Sequence, residues 1–86
     1  MMLVKKYYHV PKDIICPVLI LQGTDDHLVP CTSSEYVYSE LNKNVKRLVY
    51  IKGATHDIFR DEKKEQIFEL VEKFLKYNAI GGIDKI

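Results

Sequence analysis

Apolar positions in this chain form two continuous runs and one helical stripe. The first run, VLILQ at 18–22, has no polar alternation and stops at Gly23. A run of that kind suits a parallel strand covered on both faces. Pro17 stands at its start, where a strand tolerates proline. A second run over 46–51, rich in Val, Leu, Tyr and Ile, stops at Gly53 and predicts a second strand. Ile67, Leu70, Val71, Phe74 and Leu75 share one stripe at helical spacing, with Glu65, Glu69, Glu72, Lys73 and Lys76 opposite. That pattern predicts an amphipathic helix over 62–77, capped by Asp61 and stopped by Gly81 and Gly82. Between the strands, PCTSSE at 30–35 reads as a helix start, with Thr32 and Glu35 as a capping box. This helix runs to Asn42, buries Tyr36, Val37 and Leu41, and ends at Asn42 and Asn44.

The order is strand, helix, strand, helix: an α/β chain built as a small parallel βαβα unit over residues 14–77. Residues 1–13 mix apolar and basic positions without a period and are broken by Pro11. They read as a lead-in segment, a short helix or an extended arm; 78–86 reads as a short tail. A parallel βαβ unit takes a right-handed crossover. In open parallel sheets, chemistry collects beyond the carboxyl ends of the strands. Two unusual loops fall there, GTDDH after the first strand and GATHD after the second. Neighbouring parallel strands bring them together.

Composition narrows the function classes. The 86 residues are 47% hydrophobic and 29% charged, with a net charge of +1, as in an ordinary soluble domain. That balance makes no electrostatic case for nucleic acid or a membrane surface. No apolar run approaches the ~20 residues needed to span a bilayer. MMLVKKYYHV at the start has no signal-peptide h-region, so the expected compartment is the cytoplasm. Cys16 and Cys31 are too few for a disulfide scaffold and read as small buried hydrophobes; a bridge between them is the minor alternative.

A carboxylate on one strand end and an imidazole on the next form the orienting half of a nucleophilic triad, in which the acid holds the imidazole in one tautomer. Taken together, CPVLILQGTDDHLVP, RLVYIKGATHDIF and the helix ending KFL resemble the C-terminal part of an α/β-hydrolase. Within that superfamily the chain is most similar to the esterase, monoacylglycerol-lipase and serine-aminopeptidase-like group, over residues 14–76. The resemblance implies that Asp26, at the last position of G-x-x-D, is the triad acid and that His56 is the base. Asp25 is the competing acid. The family's nucleophile motif is G-x-S-x-G. The four glycines are Gly23, Gly53, Gly81 and Gly82, and none frames a serine in that way. Ser33, Ser34 and Ser39 fall in the first helix or its cap, and the family's oxyanion-hole loop is missing as well.

Other combinations are weaker. His27 and Asp57 could be drawn with Asp25, Asp26 and His56 as a metal site, but their spacing is not that of zinc ligands. Cys31 as a substitute nucleophile would sit near two acids, which oppose a lowered thiol pKa. His9 carries no signal. The resemblance implies a parent that cleaves carboxylic esters, with amides as second choice, and no cofactor. The chain itself is expected to be a C-terminal fragment supplying acid and base, inactive alone. The competing class is a non-catalytic remnant or interaction module. With only two strands, one edge of the 18–22 strand is expected to be unpaired, and such an edge templates association. The expected partners are therefore a second copy or a complementary N-terminal hydrolase half.

Overall fold

A computed structural model describes residues 1–5, 17–41, 46–77 and 82–86. The described residues form four strands, β1 (Met2–Lys5), β2 (Val18–Gly23), β3 (Lys46–Ile51) and β4 (Gly82–Lys85), and two α-helices, α1 (Cys31–Glu40) and α2 (Lys64–Tyr77). A 3-10 turn, Ile58–Arg60, precedes α2. The sheet is mixed, in the order β1-β2-β3-β4. β2 and β3 pair in parallel from Val18 opposite Lys46 to Gly23 opposite Ile51. β4 pairs parallel to β3, and β1 antiparallel to β2.

The β2 and β3 runs are where the hydrophobic pattern placed them. Every residue of β2 is buried, because alternate side chains face opposite layers. Leu19, Leu21, Val49 and Ile51 pack with Ile67 and Phe74 of α2 on one face. Val18, Ile20 and Leu48 pack against Val37 and Tyr38 of α1 and Leu41 just past its end on the other. Fully burying a side chain of this size contributes about 1.5–3 kcal/mol, so these two strands anchor both layers.

The two-strand sheet expected from the pattern is corrected at both edges. Residues 2–5 of the lead-in and 82–85 of the tail are strands. β1 pairs along β2 from Val18 to Leu21 and covers the edge that was expected to be free, with Met2 and Val4 packed on the α2-side core. Association through that edge therefore requires β1 to be displaced from it. At the other edge the Ile86 N–H donates to the Tyr50 carbonyl (2.8 Å) and the Lys52 N–H to the Ile86 carbonyl (2.9 Å). Backbone groups left open along β2 and β3 are satisfied by whatever extended segment reaches them, a selection that local pattern does not announce.

Helix α1 also differs in detail. It starts at Cys31 after an extended Pro30 with no side-chain cap, so Thr32 already lies inside the helix and the expected capping box does not form. Glu35 instead accepts a 2.6 Å hydrogen bond from the Tyr50 hydroxyl. Burial, then the Glu35 bond and charge, push the Tyr50 phenol well above its ordinary value. Tyr36 is exposed, not buried, and Ser34 is the helix's fully buried residue. Asp61 behaves nearer to expectation: its carboxylate accepts from the Lys63 N–H (2.9 Å) just before α2. On the stripe of α2, Ile67 and Phe74 are buried while Leu75 is exposed. The expected helix stops at Asn42, Asn44 and Gly81 lie outside the described residues, as do His9, Pro11 and Cys16.

Candidate functional site

The loops after β2 and β3 continue the parallel pairing beyond the strands. Thr24 N–H donates to the Ile51 carbonyl (3.1 Å) and Asp25 N–H to the Ala54 carbonyl (2.9 Å). Gly53 N–H returns a 2.8 Å bond to the Thr24 hydroxyl. Gly53 sits at φ 80°, a left-handed conformation that glycine adopts without the Cβ penalty. Gly23 is required for space: a Cβ there would run into the backbone carbonyls of Ala54 and Thr55. These contacts lay the acid loop against the histidine loop.

Asp26 is the buried acid of the pair. Its Oδ1 accepts the backbone N–H groups of Leu28 and Val29, both at 2.8 Å. Its Oδ2 lies 2.9 Å from His56 Nδ1 and 3.2 Å from the Met1 ammonium. Burial pushes the Asp26 carboxyl up. The bonds from Val29, His56, Leu28 and the N-terminal ammonium outweigh it and hold the group well below the usual carboxylate range. The imidazole is 47% exposed, so one end is tied to a buried acid while the ring remains open to solvent.

The remaining candidates separate from this pair. Asp25 is exposed and contributes its backbone N–H to the loop. Asp57 pairs with Arg60 Nε at 3.0 Å. His27 is exposed. Cys31 is a half-buried free thiol at the first turn of α1, less buried than a core residue. The Ser34 and Ser39 hydroxyls donate to Gln22 and to the Tyr36 carbonyl. Among the described residues, no three His, Cys, Asp or Glu side chains stand together in a way that would hold a metal ion. No helix of the described residues is long and apolar enough to cross a membrane.

Gln22 is the site residue that hydrophobic pattern alone conceals. Its side chain is fully buried at the end of β2, and its Nε2 donates to the carbonyls of Gly23 and Val29, each at 2.9 Å. The same nitrogen lies 3.4 Å from Asp26 Oδ2, and Oε1 accepts the Ser34 hydroxyl. A polar residue closing an otherwise apolar run, just ahead of G-x-x-D, is the signal that could have marked it.

The family model described as serine aminopeptidase, S33, matches residues 1–63. The match takes in the lead-in and both loops and stops just before α2, whereas the resemblance read from the motifs ran over 14–76. No solved structure matches the chain. With most of its length inside that match, the chain belongs to the serine aminopeptidase, S33, family of α/β-hydrolases.

Proposed function

We propose that the chain supplies the acid and the base of a Ser-Asp-His site for carboxylic-ester hydrolysis, and that the nucleophile comes from a complementary N-terminal hydrolase segment. One observation carries this reading: His56 Nδ1 stands 2.9 Å from the Oδ2 of a buried Asp26 at the carboxyl ends of two parallel strands. The order of acid and base along the chain matches that of the family. On this reading β2, α1, β3 and α2 correspond to the last two strands and helices of the complete fold.

The chemistry follows from the tautomer. Asp26 accepts the Nδ1–H, which leaves Nε2 as the acceptor. As the serine oxygen bonds to the ester carbonyl carbon, its proton passes to Nε2, and Asp26 stabilises the imidazolium. The C–O bond to the alcohol then breaks, and the alkoxide takes the proton back from Nε2. Water repeats the cycle on the acyl-serine, releasing the acid. The oxyanion donors and the acyl and alcohol pockets belong to the complementary segment.

The test mixes the chain with an N-terminal hydrolase segment carrying G-x-S-x-G and follows nitrophenyl-ester hydrolysis and fluorophosphonate labelling. The chain alone is expected to do neither. The mixture is expected to do both, and His56→Ala is expected to lower its turnover on the order of a millionfold, as loss of a triad base does elsewhere. Stoichiometric labelling of Ser33, Ser34 or Ser39 in the isolated chain would sink the proposal.

A further inference from the structure

Gln22 is the only fully buried polar residue in a strand that is otherwise aliphatic up to Gly23. A buried primary amide without partners is strongly unfavourable, yet this one is engaged at both ends. It sits at the entry of the acid loop and bonds across to Val29 at the exit. Val29 in turn presents its N–H to Asp26 Oδ1. The chain of contacts therefore runs from Gln22 to Val29, to Asp26 and to His56.

The acceptors around Nε2 set the direction of that chain, and Ser34 takes up the other end of the amide. An amide presents a carbonyl on one side and an NH2 on the other, and its flip follows its surroundings. Nε2 faces the Gly23 and Val29 carbonyls and Asp26 Oδ2, which can only accept, and the Ser34 hydroxyl, which could accept as well as donate, donates to the Oε1 left at the other end. A flipped amide would set its oxygen against two carbonyls and a carboxylate. The donor on Nε2 also approaches Oδ2, the oxygen that meets His56.

We infer that Gln22 and Ser34 form a positioning pair, in which the Ser34 hydroxyl holds the Oε1 end of the Gln22 amide and that amide clamps the 23–29 loop so that Asp26 Oδ2 faces His56. The catalytic meaning of the pair rests on the reading given under Proposed function. Its geometry does not, and can be read without a nucleophile.

The experiment uses the intact chain with nitrogen-15 in its histidines, and reads the Nδ1–H tautomer of His56 from the ring nitrogen shifts. Asp26→Asn sets the value without the carboxylate. Ser34→Ala is expected to remain folded by circular dichroism and to lower the Nδ1–H population by roughly twofold or more, because the orienting bond is what selects the tautomer. Gln22→Met is expected to reach the Asp26→Asn value. Val37→Ala, which loosens the same helix without touching the amide, is expected to lower the melting temperature and leave the tautomer unchanged. A folded Ser34→Ala or Gln22→Met chain with the parent tautomer would overturn the inference. So would a tautomer loss in Val37→Ala as large as in Ser34→Ala, or failure of both Ser34→Ala and Gln22→Met to fold, since the pair would then serve the core alone. Failure of the mixed hydrolase to turn over ester, with the tautomer responses intact, would instead count against the catalytic reading.

Discussion

The Ala54 carbonyl occupies the place where a side chain on Gly23 would begin. Gly23 closes β2 and Ala54 leads from β3 to His56, so this close approach sets the separation of the two loops. Gly23→Ala is expected to destabilise the chain by about 1–3 kcal/mol, the usual cost of forcing extra volume into a packed site. The His56–Asp26 bond is expected to lengthen or break with it. Urea melts and the His56 ring nitrogen shifts check the two effects separately; an unchanged tautomer in Gly23→Ala would show that the loops have room to spare.

Asp26 governs the acid limb of stability. Its folded carboxyl lies below its ordinary value of 3.8, so between the two values the folded chain binds fewer protons than the unfolded one. Its contribution is complete above pH 3.8 and is lost as pH falls from there toward the lower folded value. Urea midpoints measured from pH 6 downward are expected to drop below that point. Asp26→Asn should start lower at pH 6 and show a shallower drop.

Leu19 and Ile20 are fully buried between the two helical layers. Leu19→Ala is expected to cost about 2–5 kcal/mol, a large share of the stability of a small domain. A charge or proline at Ile20 is expected to unfold the chain. Loss of the cooperative melt, with no folded monomer in sedimentation, is the predicted observation; a well-folded Ile20→Lys monomer would contradict the packing.

Strand β1 shields β2. Removing residues 1–5 is expected to uncover the β2 edge from Val18 to Leu21 and to cause concentration-dependent association, since an unpaired edge is a template for another strand. Sedimentation equilibrium of the shortened chain against the intact one measures this. Equal behaviour of the two would mean that β1 contributes little to edge protection.

Much of this architecture was legible along the chain because its determinants are local. β2 and β3 announce themselves as apolar runs ended by glycine, and α2 as a stripe at 3.6-residue spacing. Asp26 and His56 were legible as candidates because each follows such a strand, and parallel pairing of neighbours brings strand ends together. The extended state of residues 2–5 was legible only as one of two alternatives, and the strand at 82–85 was not legible at all. A four-residue segment carries too little pattern to choose its state, and each became a strand because β2 and β3 had open backbone groups that it could reach. The same holds for α1, where packing over Gln22 buries Ser34 and leaves Tyr36 in solvent, the reverse of what hydropathy favours. A buried amide needs a hydroxyl donor opposite it more than a helix needs to hide a tyrosine ring. Which polar groups meet across the sheet is a property of the assembled layers, and only the tertiary structure decided it.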